Sequence, residues 1–127
     1  MRASVPEGWP KGVRPPGVEG YEQSAIVWLF DQVPSDYRVH GILRRYPLAL
    51  ARMAREHMSA ALDAARQGYR TARVQLTEAG LPPHAIEQVM EVYVEEGQRF
   101  AAALRAIEIV EESLGGTPPR NSQNLTF

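Results

Sequence analysis

Apolar and small residues recur through residues 47–114 at intervals that predict two long helices. In the first of them the intervals alternate between four and three residues, which keeps the side chains on one helix face. Proline at position 47 suits a first helical turn, because its missing N–H would have no partner there. The pattern predicts a helix over about 48–79, roughly 45–50 Å long. The predicted face comprises Met58, Leu62, Ala65, Tyr69, Ala72, Leu76 and Ala79.

A break at residues 80–83 predicts that the chain folds back on itself. Gly80 is a good helix terminator, because glycine takes the left-handed cap conformation without steric cost, and Leu81 is biased toward extended geometry by the proline that follows it. Pro82 and Pro83 then open a second helix that runs to Leu114, and so short a connection makes the two helices antiparallel neighbours. Its predicted inner face comprises Ile86, Met90 or Val89, Tyr93, Gly97, Phe100, Leu104, Ile107 and Leu114, with Gly97 as the position of close helix packing.

The two long helices carry opposite charge. The first has five arginines against three acidic residues, and the second has seven glutamates against two arginines. Each exposed ion pair contributes only about 0–1 kcal/mol, but together such pairs specify register and orientation. Folding at the double proline predicts the pairs Arg73–Glu91, Arg66 or Arg70 with Glu95 and Glu96, Arg55–Glu108, and Arg52–Glu111.

The first 46 residues predict an irregular arm and two short helices. Prolines and glycines deny residues 1–20 regular structure, but Trp9 has a large apolar area and is expected to be buried against the hairpin. A short helix is predicted over 21–33, and a second over 36–45. Tyr37, Val39, Ile42 and Leu43 are the expected core residues of the second helix.

These elements predict an all-α fold. Its helical domain, residues 21–114, is a long antiparallel hairpin covered by two short N-terminal helices, which together form an irregular four-helix bundle. The arm, residues 1–20, precedes this domain, and residues 115–127 are expected to be a flexible tail.

Composition narrows the classes of function. The chain has no cysteine, which excludes disulfides, thiol catalysis and cysteine metal sites, and its net charge of −1 gives no global attraction to nucleic acid. It has neither a long apolar run nor the apolar core of a signal peptide, so a cytoplasmic location away from membranes is expected. Arginine far outnumbers lysine, as is typical of GC-rich bacterial genomes.

Three histidines, His40, His57 and His84, are the candidates for metal binding or acid–base chemistry. None has a second histidine three or four residues away, and none follows an acidic residue by three, so no metal or other cofactor is expected. His57, next to Glu56 on the first long helix, is the one candidate for a ligand or catalytic pocket. The competing interpretation is a partly buried histidine that is hydrogen-bonded to a neighbour.

A cluster of arginines predicts a basic interaction face, formed by Arg38, Arg44, Arg45, Arg52 and Arg55. Such a face could hold a phosphate backbone, although the acidic second helix lies beside it and weakens its field. No glycine-rich phosphate loop, nucleophile elbow or dinucleotide fingerprint is present, and no catalytic residue is identified.

Residues 28–57, WLFDQVPSDYRVHGILRRYPLALARMAREH, resemble a pattern in small uncharacterised helical proteins of actinobacteria. Those proteins carry no established activity, so the resemblance implies no site residue.

The leading hypothesis is a non-enzymatic protein–protein interaction or structural module that forms a homodimer or binds another protein. Two short helices cannot cover a hairpin of this length, so apolar residues off its inner face need a further surface. These residues are Leu48, Met53, Val74, Val92, Val94, Ile109 and Val110. The alternatives are a nucleic-acid-associated accessory protein that uses the basic face, and a small ligand-binding or enzymatic bundle centred on His57.

Overall fold

A computed structural model describes residues 5–116, and all regular structure in that range is helical. Four α-helices follow one another along the chain, with a 3₁₀ turn at Ser35–Val39 between the first two. They are α1 (Tyr21–Phe30), α2 (Gly41–Arg45), α3 (Pro47–Glu78) and α4 (Pro83–Leu114). The all-helical class and both long helices are therefore confirmed. Most of the predicted tail, from residue 117 onward, lies outside the described residues.

The turn between α3 and α4 is built as the sequence predicts. Gly80 has a φ of 93°, and its N–H donates to the Thr77 carbonyl. The Leu81 N–H reaches back to the Leu76 carbonyl at 3.1 Å, which completes a Schellman cap. Because Pro83 starts α4 after so short a turn, α3 and α4 pack side by side along their length.

The two short helices differ from their predicted form. The first ends at Phe30 rather than Val33, where the backbone tightens into i→i−3 hydrogen bonds such as Gln32 N–H to the Leu29 carbonyl. The second is split by His40, whose extended backbone separates the 3₁₀ turn from α2. Glycine has a low helix propensity, so Gly41 does not favour a continuous helix across that break.

This split overturns most of the expected core of the second short helix. Leu43 alone is buried, Tyr37 is half-buried, and Val39 and Ile42 are 76% and 53% exposed. A 3₁₀ turn has three residues per turn, and the extended residue after it resets the direction of the next side chains. A face counted at 3.6 residues per turn therefore does not carry through from Tyr37 to Leu43.

The main core lies at the open end of the hairpin, called the base here, where α1, α2 and the arm pack on α3 and α4. Leu29, Leu50, Ile107 and Val110 are fully buried in it, so the prediction that Val110 needs another surface is wrong. The rest of this base core comprises Val13, Ala25, Phe30, Val33, Leu43, Ala51, Ala54 and Met58. No side chain buried among the described residues is polar or charged.

The arm is anchored mainly by Val13, which is 3% exposed, while Trp9 is half-buried. The Trp9 indole donates to the Val13 carbonyl at 2.7 Å and stacks with Tyr21 at 6.4 Å between ring centroids. A Cβ placed on Gly8 would lie 3.1 Å from Ile109. The arm therefore covers the side chain of Ile109, another residue that was expected to need a further surface.

A second, smaller cluster lies at the closed end of the hairpin, called the tip. It consists of Ala72, Ile86 and Met90, with Leu76, Leu81 and Tyr93 packed around them. All six residues belong to α3, α4 or the turn between them. Over residues 5–116, no helix combines the length and the apolar character that a membrane crossing requires.

Candidate interaction surface

A groove with a volume of about 390 Å³ lies between α3 and α4, in the middle of the hairpin. It occupies the stretch between the base core and the tip cluster, and Leu62 and Ala65 at its floor belong to neither. Aliphatic, aromatic, basic and amide side chains line it: Leu62, Ala65, Arg66, Tyr69, Arg70, Tyr93, Val94, Gly97, Gln98 and Ala101.

Gly97 makes room for the groove and is not required for close packing. A Cβ added to Gly97 would meet only the Ala65 Cβ, at 4.0 Å, which is an ordinary contact. The interpretation of Gly97 as the close-packing position is therefore wrong. Two small residues facing each other leave the groove open at this level.

The position of close packing is Gly68, about one helical turn nearer the tip. A Cβ on Gly68 would lie 2.3 Å from the Tyr93 ring, so any larger residue would force that ring to move. The sequence signal was a glycine inside α3 opposite an aromatic residue of α4.

Tyr69 and Val94 flank the groove and are 48% and 43% exposed. Tyr69 was predicted on the inner face of α3, between Ala65 and Ala72, but it is about half exposed where it lines the groove. Val74 and Val92 are also exposed, and they lie closer to the tip. Leu48 and Met53 are exposed toward the base, so five of the seven residues that were expected to need a further surface remain accessible.

Ion pairs join α3 to α4 on either side of the groove. Toward the base, the Arg55 guanidinium meets Glu111 at 2.6 Å, and this contact raises the pKa of Arg55. Toward the tip, Arg73 pairs with Glu87 and lowers the pKa of that carboxyl. The predicted partners were Glu108 and Glu91, each about one helical turn away, so the orientation was right and the partners were wrong.

The other predicted pairs between the long helices do not form. Arg52 binds Glu56 on its own helix, at 3.3 Å, instead of Glu111. Glu96 is held by Arg99, also on its own helix, which lowers the pKa of Glu96. Within residues 5–116, Arg66, Arg70, Glu91 and Glu95 form no salt bridge. Arg66 and Arg70 line the groove on its α3 side, and the two glutamates do not line it.

The predicted basic face is divided among several local contacts. Arg38 pairs with Asp31 at 2.9 Å, and Arg44 lies over the Phe30 ring at 4.7 Å while donating to the Arg38 carbonyl. Arg52 and Arg55 are held by the glutamates described above, and Arg45 is exposed. The structure thus gathers Arg38 and Arg44 at one aromatic ring and places Arg52 and Arg55 along α3.

His57 is half-buried on α3, with its ring edge-on to Tyr37 at 6.4 Å between centroids. It does not line the groove, which begins farther along α3 at Leu62. Its neighbour Glu56 is engaged with Arg52. Among the described residues, no three His, Asp or Glu side chains come together as a set of metal ligands.

Comparisons with known proteins add no relative: no protein-family model, no curated protein and no solved structure matches this chain.

Proposed function

We propose that this chain is a non-enzymatic protein–protein interaction module that binds its partner through the groove face of the hairpin. The groove face is the set of residues that line the groove, with Tyr69 and Val94 exposed at its edges. The observation that carries the proposal is this exposed aromatic and aliphatic pair beside a groove over which α1, α2 and the arm do not extend.

The residues of the groove face are those that protein interfaces favour. Tyrosine and arginine are enriched among the residues that contribute most to binding, and an aromatic side chain supplies contact area with few torsions to fix. The groove face offers two tyrosines and two arginines within about two turns of each helix. Its floor is apolar, so a side chain placed there would lose contact with water.

The base gives this surface a fixed support. In the proposed irregular four-helix bundle, α1 and α2 clamp the open ends of α3 and α4, and the arm closes the remaining side. Four fully buried side chains hold this arrangement together. A surface that is ordered before binding loses less conformational entropy on association than a flexible one does.

Site-specific photo-crosslinking in the native cell tests the proposal. A photoreactive phenylalanine analogue at Tyr69 or Val94 should give light-dependent adducts of defined mass. The matched control is the same analogue at Ala64, which is exposed on α3 but does not line the groove. Adducts of equal yield at all three positions, or at none, would show that the groove face is not the binding surface.

A further inference from the structure

We infer that the partner seated on the groove face is a second copy of this chain, with the two hairpins side by side and their tips pointing the same way. This inference rests on the proposed function and names the partner for the same surface.

The charges on the groove face favour a second copy. The α3 side presents Arg66 and Arg70, and among the described residues the Arg70 guanidinium donates a hydrogen bond only to Gln67, at 2.7 Å. On α4, Glu91 lies one turn before Val94 and Glu95 one turn before Gln98, so both carboxylates border the groove face on its α4 side. An acidic peptide would match the arginines and leave the glutamates without partners. A second copy supplies a partner for both sets of charges.

Symmetry then selects the orientation. A two-fold axis running along the hairpins places α3 of each copy opposite α4 of the other, so that a basic helix faces an acidic one. An axis perpendicular to the hairpins, in the plane of the interface, places α3 against α3 and α4 against α4. Like charges would then face each other across the interface, which opposes association.

Under the first arrangement, oppositely charged residues of the two copies lie at the same level, meaning the same height along the hairpin axis. Residue 65 lies level with residue 97, and residue 68 lies close to residue 93. Arg66 is therefore level with about residue 96 and Arg70 with about residue 92, each roughly one residue, or 1.5 Å, from a glutamate. A two-fold axis along the hairpin preserves these levels, so Arg66 meets Glu95 of the second copy and Arg70 meets its Glu91.

The apolar residues match as well. By the same levels, Tyr69 of one copy lies opposite Val94 of the other, and symmetry repeats this contact on the second side. The interface then has an apolar centre flanked by charge pairs, which is the usual arrangement of a specific interface.

The available area suits a weak dimer. From Glu91 to Ala101 the face is roughly 15 Å long, and two helices make it about 20 Å wide. Each copy would bury roughly 300 Å², so the total is small and lies in the range of weak, transient complexes. We therefore expect a dissociation constant of roughly tens of micromolar.

Charge-reversal variants test the dimer and its pairing. Sedimentation velocity at about 50 mM salt should show the unmodified chain as a dimer at about 100 µM. The variants R66E/R70E and E91R/E95R should each self-associate roughly 100-fold more weakly, because like charges would then face each other. An equimolar mixture of the two variants restores opposite charges on both sides and should dimerise about as well as the unmodified chain.

Two controls make the result decisive. All four positions are exposed, so at a concentration well below that of dimer formation both variants should keep the helical circular dichroism and the melting temperature of the unmodified chain. A mixture of R66E/R70E with the unmodified chain keeps one attractive side and gains one repulsive side, so it should associate more weakly than the unmodified chain does with itself. The perpendicular arrangement predicts the reverse, because two unmodified chains would then repel each other on both sides. Stronger association in that mixture than in the unmodified chain alone, or no rescue in the mixture of the two variants, would overturn the inference.

A distance measurement reads out the orientation directly. The chain has no cysteine, so H84C at the exposed start of α4 gives a single site for a spin label. In the proposed dimer the two labels lie at the same end, at roughly 20–30 Å, whereas opposed hairpins centred on the groove would separate them by about 40 Å. The longer distance, or a monomer at about 100 µM, would refute the inference. If Tyr69 still crosslinks to another protein in that case, the proposed function stands and only the identity of the partner is wrong.

Discussion

The base and the tip of the hairpin use the same two helices but differ in what surrounds them. At the base, α1, α2 and the arm add side chains to those of α3 and α4, and Leu50, Ile107 and Val110 lose all contact with solvent. At the tip the helices have only each other, and the most buried residues, Ala72 and Ile86, each keep 4% of their surface exposed. The difference lies in the number of packed layers, because both ends are regular helix.

Because of this difference, we expect the base to provide most of the stability and the rest of the hairpin to provide the binding surface. Stability in proteins concentrates where apolar contacts are dense, and regions with few such contacts open at lower free energy. The base therefore carries most of the free energy of folding, while the groove and the tip expose the apolar side chains that a partner needs. Substitutions matched between the two ends can test this division.

The largest expected effect comes from the same substitution made at each end. Ile107→Ala should lower the free energy of unfolding by about 4 kcal/mol, because the cavity is enclosed on all sides. Ile86→Ala should lower it by about 2 kcal/mol, because the thinner tip can relax into the space. Urea denaturation followed by circular dichroism measures both. Equal losses at the two sites would mean that the tip is as tightly packed as the base.

Two glycines on facing helices should respond in opposite directions. Gly68→Ala should destabilise the chain by about 1 kcal/mol, because the added methyl group forces the Tyr93 ring off α3 at a cost that exceeds the gain in helix propensity. Gly97→Ala meets only an ordinary contact and should stabilise the chain by up to about 1 kcal/mol. Thermal melting of both variants gives the signs. Stabilisation by both substitutions would show that the Tyr93 ring moves aside at no cost.

The hairpin was predictable because its signals are local. Glycine at position 80 and two prolines after it fix a turn whatever surrounds them, and the alternating spacing of α3 fixes a helix and most of its inner face. The opposite charges of the two helices then give the antiparallel orientation. Each of these features depends on residues close together in the sequence, or on the sum of many weak pairs.

The details of the groove depend on contacts between distant residues, which periodicity does not describe. Tyr69 fits the four-three spacing of α3, yet it is 48% exposed beside the groove, whereas Tyr93 packs against Gly68. A shift of one helical turn in ion pairing likewise changes the partner of Arg55 without changing any sequence pattern. The basic face was predicted from arginine spacing alone, which does not reveal that Phe30 collects two of its members.

The ion pairs that flank the groove should differ in their contribution to stability. Arg55 and Glu111 are 34% and 21% exposed and make two hydrogen bonds, so Glu111→Gln should cost about 1 kcal/mol. The matched substitution in the tip pair, Glu87→Gln, should cost less, since both of its partners are more than half exposed. Chemical denaturation at low and high salt distinguishes the contributions of the two pairs to the free energy of unfolding, because salt screens the exposed pair more strongly. A larger loss of stability for Glu87→Gln than for Glu111→Gln would show that the tip pair contributes more than the Arg55–Glu111 pair.

The smallest expected effect is a dependence of stability on pH that originates at the tip. Arg73 lowers the pKa of Glu87 in the folded chain, so the carboxylate favours folding at any pH above its ordinary pKa of about 4.3. That contribution is lost as the pH falls through the lower pKa of the folded state. The melting temperature of Glu87→Gln should therefore lie slightly below that of the unmodified chain at pH 7, and the two should converge near pH 3.

Glu78→Gln is the matched control, since Glu78 is exposed at the same end and has no salt bridge within residues 5–116. A difference for Glu87→Gln that persists at pH 3, or an equal difference for Glu78→Gln, would show that the Arg73 pair does not hold the tip together.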